Sequence, residues 1–107
     1  MAKHIYFHIW NNHFKMWGYD SYYNNDNGQV RVIFYWGRIK DSLGLLQQKE
    51  KIMDYWDAHD LIKKKIDEKL RKGYVAVLNA DYHKFVCGDI NLSQFLGIIE
   101  YQKEVQK

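Results

Sequence analysis

The stretch Val30-Arg31-Val32-Ile33-Phe34-Tyr35-Trp36-Gly37-Arg38 decides the fold of this 107-residue chain. Its β-branched and aromatic residues are typical of a strand, because such side chains pack well on a pleated surface. Asn24-Asn25-Asp26-Asn27-Gly28 precedes it, and an Asn-Gly pair is the favoured two-residue hairpin turn since both residues tolerate positive φ. We therefore predict a strand over residues 29–36 that forms an antiparallel hairpin with the segment before it.

Two further strands are predicted before this turn. Residues 4–10 alternate between apolar residues on one side and histidine or aromatic residues on the other, which is the pattern of a half-buried strand. Phe14 begins a second strand that runs to Tyr23, with Gly18 as a candidate bulge. The short turns between these segments favour antiparallel pairing, because parallel strands need a long crossover connection.

The segment after Arg38 is predicted to contain a loop over residues 40–44 and a fourth strand over residues 45–55. The interior of that fourth segment, Gln47-Gln48-Lys49-Glu50-Lys51, is polar and fits a helix equally well.

Residues 57–72 form the clearest predicted helix. Asp57 is the expected N-cap, because its carboxylate can accept from the free N–H groups of the first turn. Gly73 follows the last turn as the expected C-cap residue. Apolar residues recur at helical spacing and, with the stem of Lys65 or Lys69, form one stripe: Ala58, Leu61, Ile62, Ile66 and Leu70.

The order of these elements indicates an α+β fold, because strands come first and helices last. Residues 74–78 are predicted as a short strand and residues 79–89 as irregular structure. A second helix begins at Asn91 or Ser93 and has an apolar face formed by Leu92, Phe95, Leu96, Ile99 and Val105. We predict a single domain over residues 1–107, with an antiparallel sheet of about four or five strands, one long helix packed on it, and a C-terminal helical addition.

Composition places the chain in a broad class. It carries 16 Lys and Arg residues against 13 Asp and Glu residues. Its pI is near 8.9, whereas strong nucleic-acid binders have a pI above about 9. Cys87 is the single cysteine, so an intrachain disulfide is excluded and a reducing compartment is expected. The sequence has no apolar stretch of about 20 residues and no signal-peptide layout, so we expect a soluble cytoplasmic protein.

The tripeptide Trp36-Gly37-Arg38 is the strongest candidate functional motif. It combines a flat aromatic ring, a residue that allows close approach of the backbone, and a planar cation. That combination suits stacking on a sugar or base beside a phosphate. The competing interpretation is a core tryptophan, a glycine at a strand end and a solvated arginine.

Two separated motifs resemble the WGR domain, a small module of poly(ADP-ribose) polymerases and of many bacterial proteins. The first is Trp36-Gly37-Arg38-Ile39 at the end of an aromatic strand that follows a hairpin. The second is Lys69-Leu70-Arg71-Lys72-Gly73-Tyr74, which reproduces the Lys-x-x-Lys-Gly-Tyr pattern of bacterial members and implies a bacterial protein. The resemblance covers about residues 12–78, and leaves an extra N-terminal strand at 3–10 and an extension at 79–107.

The chain departs from the family directly after the tripeptide. The family usually continues Ile-Gly-Thr-x-Gly-Gln, whereas this chain has Ile39-Lys40-Asp41-Ser42-Leu43-Gly44. The loop after the tripeptide therefore differs from the family's loop in sequence. Any contact that the loop makes is expected to differ as well.

The resemblance implies binding of DNA ends, nicks or backbone structure without sequence specificity, and it implies no catalysis. Trp36 would stack on a terminal sugar with help from Tyr35, and Arg38 would bind a phosphate or a protein partner. Further positive charge would come from Lys15, Lys40, Lys49 and Lys51, and less certainly from Arg31. We expect DNA or RNA as the partner, no cofactor, no metal, no membrane and no enzymatic activity; the sequence leaves the oligomeric state open.

Other functions were weighed against this one. The first alternative is a protein–protein interaction module that uses the surface of Trp36 and Arg38 and has no nucleic-acid role. Cys87 as a nucleophile with His83 as its base is disfavoured, because a lone cysteine is usually a small buried hydrophobe. The run Lys63-Lys64-Lys65 fits either a solvated helix face or a set of phosphate contacts.

Overall fold

The computed structural model describes residues 4–10, 13–38 and 46–106. Five strands form one antiparallel sheet in the order β4-β3-β2-β1-β5: β1 (His4–Trp10), β2 (His13–Tyr23), β3 (Gln29–Arg38), β4 (Gln47–Asp54) and β5 (Val75–Val77). Three helices complete the chain: α1 (Tyr55–Arg71), α2 (Asn79–Val86) and α3 (Leu92–Val105). The α+β fold with a five-stranded antiparallel sheet is confirmed.

The central hairpin is longer and less tightly turned than predicted. β3 continues past Trp36, so that Gly37 pairs with Met16 and Arg38 pairs with Lys15 on β2. The two strands last pair at Tyr23 and Val30, and the N–H of Gly28 donates to the Asn24 carbonyl at 2.9 Å. The prediction of a two-residue turn was therefore wrong, because residues 25–28 all lie inside the loop.

The pairing of β2 also excludes a bulge at Gly18. Gly18 pairs with Ile5 on one side and with Tyr35 on the other, and the register is unbroken through both ladders. β4 is a strand, as predicted. Its polar residues are mostly exposed on an edge of the sheet, where charged side chains discourage pairing with other chains.

Helices cover both faces of the sheet. On one face, α1 packs on β2 and β3 through a core that includes Trp17, Val32, Phe34 and Ala58. On the other face, α2 and α3 pack on β1 and β5 through Ile5, Phe7, Val75, Tyr82, Phe95 and Ile99. The period-2 alternation of the strands divides their side chains between these two cores.

The ends of α1 follow the expected chemistry, with one correction. Asp54 is the N-cap in place of Asp57, and its side-chain oxygen accepts from the Asp57 N–H at 2.8 Å. At the other end, the N–H of Gly73 donates to Leu70 O and the N–H of Tyr74 donates to Lys69 O, which is a Schellman arrangement. Gly73 therefore ends the helix as predicted, with φ of 97°.

Three further expectations were wrong. Residues 79–86, predicted as irregular, form α2, whose Tyr82 is buried against Phe7. Leu70 and Val105, predicted on apolar helix faces, are 47% and 60% exposed. Each lies in the last turn of its helix. Within the described ranges, no helix is long and apolar enough to cross a membrane.

Candidate nucleic-acid interface

A cavity of about 290 Å³ opens where α1 crosses the end of the sheet that contains Trp36. We call it the basic cavity. Three aromatic and four lysine side chains line it: Trp17, Phe34, Trp36, Lys49, Lys51, Lys65 and Lys69. It therefore combines apolar ring surface with four ammonium groups.

Strand register explains why these side chains meet. Phe34 and Trp36 are two residues apart on β3, so they lie on the same face. Trp17 pairs with Trp36 across β2 and β3, and Lys49 pairs with Phe34 across β3 and β4. Lys51 follows Lys49 at a spacing of two, so its side chain is on that face as well.

The helix supplies the remaining two cations. Lys65 and Lys69 are four residues apart, and residues at that spacing lie one above the other on a helix. The face they share is the one that packs on the sheet, since Ile62 and Ile66 contact the same core. α1 therefore closes the basic cavity from above with two ammonium groups.

Two of the three aromatic rings that line the basic cavity are buried, and the third is partly exposed. Trp17 and Phe34 are 4% and 6% exposed, and their rings stack with centroids 6.0 Å apart and planes 25° apart. Trp36 is only partly buried. Part of the Trp36 side chain is therefore accessible from solvent, while the rest packs against the core beneath α1.

The electrostatics of the basic cavity favour an anion. The Lys69 ammonium lies 5.8 Å from the centroid of the Trp17 ring and 5.2 Å from that of Tyr74. Burial lowers the pKa of Lys69 below its ordinary value, and the charges of Lys72, Lys65 and Lys15 lower it further, although Glu68 opposes them. A bound phosphate would relieve this repulsion.

One carboxylate is close to the cavity. Lys65 and Glu68 form an ion pair of 3.7 Å between Nζ and Oε2, and both side chains are substantially exposed. Such an exposed pair contributes at most about 1 kcal/mol. The Glu68 carboxylate does not compensate the positive charge of the other three lysines that line the basic cavity.

The structure brings several of the predicted site residues together. Trp36, Lys49 and Lys51 line the basic cavity. Lys15 lies on the same face of the sheet, opposite Arg38, and is close enough to lower the pKa of Lys69. Arg38 is exposed at the end of β3.

Lys40 lies outside the described residues, and Arg31 is at the other end of β3. There the Arg31 Nε lies 3.6 Å from Glu50 Oε1, so Arg31 takes no part in the basic cavity.

Tyr35 is not brought together with Trp36. The two residues are neighbours on β3, so their side chains lie on opposite faces of the sheet. The Tyr35 hydroxyl donates to Asp20 Oδ2 at 2.7 Å. Burial, followed by this hydrogen bond and the charge of Asp20, raises the pKa of Tyr35 to about 12. Tyr35 therefore satisfies a buried carboxylate and does not extend the stacking surface of Trp36.

Sequence reasoning missed four residues of the basic cavity. Trp17 and Phe34 were assigned to strands without a role. Lys65 was considered as an apolar stem and within the run Lys63-Lys64-Lys65, for which phosphate contacts were one interpretation. Lys69 was considered as an apolar stem and as part of the Lys-x-x-Lys-Gly-Tyr motif, and neither lysine was assigned to the site of Trp36. The available signals were the spacing of two residues between Phe34 and Trp36 and the spacing of four residues between Lys65 and Lys69. Neither spacing reveals that the helix crosses the sheet at that point.

The remaining candidate chemistry lies far from the basic cavity. Cys87 Sγ is 3.4 Å from His83 Nε2 at the exposed C-terminal end of α2, where the sequence predicted a strand or loop. Within the part of the chain that the structure describes, no group of three or more His, Cys, Asp or Glu residues could hold a metal ion.

The chain matches no protein-family model, no curated protein and no solved structure.

Proposed function

We propose that this protein is a non-catalytic module that binds nucleic acid at DNA ends, nicks or other backbone structure, without sequence specificity. The observation that carries the proposal is the basic cavity, in which four lysines surround three aromatic rings. Lysines contact phosphates, and aromatic rings stack on bases or sugars of any identity. Among residues 4–10, 13–38 and 46–106, no Asn or Gln side chain lines the cavity, and these are the residue types that read adenine edges.

We further propose that residues 12–78 form a WGR-like domain. The two motifs that carry the resemblance are separated in sequence, yet both reach the basic cavity. Trp36 of the first motif and Lys69 of the second line it, and the Tyr74 ring lies 5.2 Å from the Lys69 ammonium. This convergence supports the resemblance, because residues of both motifs lie together where α1 packs on the sheet. The proposal includes a cytoplasmic location and neither a cofactor nor a catalytic step.

Fluorescence anisotropy with labelled DNA tests the binding function. The probes are a nicked duplex, a blunt duplex, a single strand and an RNA hairpin, each titrated at about 50 mM salt, where phosphate contacts are strong. If the four lysines contact phosphates, the logarithm of the binding constant should fall with the logarithm of salt at a slope of about −3 to −4. Preference for the nick or the end over an intact closed duplex would define the structural specificity.

Matched variants assign the binding to the basic cavity. Trp36→Ala should weaken binding about tenfold or more, because stacking contributes about 1–3 kcal/mol per base. Lys49→Gln and Lys51→Gln should each reduce the salt slope by about one. Lys63→Gln is the control, since Lys63 is an exposed lysine of α1 outside the basic cavity. Absence of binding to every probe by the wild-type protein at that salt concentration would overturn the proposal.

The alternative is a protein-interaction module that uses the same surface. Arg38 is exposed beside Trp36 at the end of β3, and arginine and tryptophan are both enriched among residues that dominate protein interfaces. This alternative predicts that the protein binds no nucleic acid. It also predicts a protein partner whose binding is lost in both Trp36→Ala and Arg38→Ala. The anisotropy titration therefore separates the two functions.

A further inference from the structure

The end of the molecule opposite the basic cavity exposes a second aromatic surface. We call it the aromatic end, and it consists of Tyr22, Tyr23, Tyr55 and Trp56. These side chains are 40%, 54%, 49% and 70% exposed. They come from the tip of the β2–β3 hairpin and from the first turn of α1, so the fold brings together rings from two distant parts of the sequence.

Three rings of the aromatic end form a row of contacts. Tyr23 and Tyr55 meet edge to face with centroids 6.0 Å apart, and Tyr55 and Trp56 meet in the same way at 5.1 Å. Two cavities of about 520 and 260 Å³ flank this row, and Tyr23 lines both. Tyr23, Tyr55 and Trp56 therefore form a contiguous apolar patch with concave flanks, whereas Tyr22 lies at the same end on the other face of the sheet.

Neither core of the protein needs these rings. The core beneath α1 is filled by buried residues such as Trp17, Val32 and Ala58, and the aromatic end lies outside it. Single exposed apolar residues are common, but contiguous exposed patches mark interaction sites. Tyrosine and tryptophan are also the residue types that contribute most to binding at protein interfaces.

The charge around the aromatic end is negative. The excess lies at the start of α1, at Asp54, Asp57 and Asp60, whereas the larger cavity is lined by one carboxylate, Asp26, and one cation, Arg31. The charge of Asp54, more than any other cause, raises the pKa of Asp57 above its ordinary value, and Asp60 adds to the effect. This surface therefore repels phosphates and attracts cations, which is the opposite of the basic cavity.

At the same end of the molecule, on the other face of the sheet, the chain holds one of its own arginines against a tyrosine. The guanidinium carbon of Arg31 lies 4.9 Å from the centroid of the Tyr22 ring, and its Nε lies 3.6 Å from Glu50 Oε1. A planar cation is thus held between an aromatic face and a carboxylate. Tyr23, Tyr55 and Trp56 offer further ring surface beside Asp54 and Asp57. Arginine suits such a setting better than lysine, because its plane can lie flat on a ring.

We propose that the aromatic end is a docking surface for an arginine-bearing segment of a partner protein. The rings receive the guanidinium planes by cation–π contact, and the aspartates receive their N–H donors. A second copy of this chain is a less suitable occupant. Contact between the aromatic end of one copy and the basic cavity of the next would be head to tail, and such contacts form open chains unless their rotation closes a ring.

A peptide titration tests this proposal. The probe is a fluorescein-labelled peptide of alternating Arg and Gly, compared with peptides of the same length in which Lys or Glu replaces Arg. We expect the Arg peptide to bind at about 50 mM salt, the Lys peptide to bind more weakly and the Glu peptide not to bind. Trp56→Ala should weaken binding of the Arg peptide by about two- to fivefold, and Asp60→Asn should weaken it as well.

Two controls keep the test specific. Tyr101→Ala removes an equally exposed aromatic ring from α3, 66% exposed, and should leave binding of the Arg peptide unchanged. Trp36→Ala should also leave it unchanged, because the basic cavity lies at the other end of α1. Circular dichroism and thermal unfolding of Trp56→Ala should match the wild type, since the ring is 70% exposed.

Four results would overturn the proposal. They are failure of the Arg peptide to bind the wild-type protein, equal binding of the Arg and Lys peptides, unchanged binding in Trp56→Ala, and concentration-dependent self-association that Trp56→Ala abolishes. The last result would identify a second copy as the occupant. Sedimentation of the wild type and of Trp56→Ala over a range of concentrations distinguishes it from the others.

Discussion

Replacing Gly73 by alanine is expected to destabilise the protein more than the same change at Gly88. Both glycines have positive φ, +97° at Gly73 and +82° at Gly88. An added Cβ therefore costs about 1–2 kcal/mol at either position. At Gly88 no atom lies within 4 Å of the new Cβ, so this backbone cost is the whole effect.

At Gly73 the new Cβ would also meet a neighbouring ring. It would lie 3.0 Å from Cε1 and 3.3 Å from Nδ1 of His8. The His8 ring is stacked on Tyr74 with centroids 5.1 Å apart and planes 26° apart, and Tyr74 is buried, so the imidazole has little room to move. Crowding of this kind costs typically about 1–3 kcal/mol, which brings the total for Gly73→Ala to roughly 2–5 kcal/mol.

Thermal unfolding of three variants measures the difference. For a chain of this length, 1 kcal/mol corresponds to a change in Tm of roughly 4 °C. Gly97→Ala is the internal control, because Gly97 lies inside α3 with open space around its Cα, and alanine there should raise stability by about 0.5–1 kcal/mol. If Gly73→Ala lowers Tm by no more than Gly88→Ala does, the His8 ring moves freely and the packing argument is refuted.

Three further perturbations have defined outcomes. Because the pKa of Lys69 is lowered in the folded state, the unfolded chain binds that proton more tightly, so the contribution of Lys69 to stability should rise as pH approaches the ordinary lysine value of 10.5. The tyrosines with raised pKa values act in the opposite direction in both proteins, so the readout is the difference between Lys69→Met and the wild type in urea unfolding. Lys69→Met should be the more stable at neutral pH, and its advantage should shrink as pH rises to the ordinary lysine value of 10.5; a difference that does not change with pH would contradict the account. Tyr35→Phe should cost about 1–3 kcal/mol by leaving the buried Asp20 carboxylate without its 2.7 Å donor, while DNA affinity measured by anisotropy should not change. Asp54→Ala should lower the free energy of unfolding by about 1 kcal/mol through loss of the N-cap, and a larger loss in Asp57→Ala would contradict the capping seen at 2.8 Å.

Local signals determined how much of the fold was predictable. The strand that contains Trp36 was predictable because its residue types and the preceding turn agree. The C-terminal end of α1 was predictable because Gly73 can adopt the positive φ that ends a helix. Asp54 was not recognised as the N-cap, because a second aspartate three residues later carries the same chemical signal.

α2 could not be predicted by the same means. It has only eight residues, and its N-cap residue, Leu78, makes no side-chain cap hydrogen bond. Its stability comes from tertiary contacts, since Tyr82 and Phe85 pack around Phe95 of α3. Isolated helices of this length are marginal in water, so no local pattern was available to detect it.

The candidate site was predictable only where it lies on the sheet. Trp36, Lys49 and Lys51 follow from a motif and a period of two, both of which can be read from the sequence. Lys65 and Lys69 belong to a helix that also carries acidic residues, so the sequence alone favours a solvated face. Their position over the aromatic rings depends on where α1 crosses the sheet, which is a tertiary property.

The modest net charge of +3 does not weaken the case for a nucleic-acid partner once the positions of the charges are considered. α1 begins among the aspartates of the aromatic end and finishes at the basic cavity, as its macrodipole favours. Asp57 and Lys69 are about 18 Å apart along the helix at 1.5 Å per residue. That distance is about twice the screening length of 8–10 Å in physiological salt, so Asp54 and Asp57 do little to reduce the potential at Lys69. The aromatic end and the basic cavity can therefore act on partners of opposite charge, and the net charge of the whole chain describes neither surface.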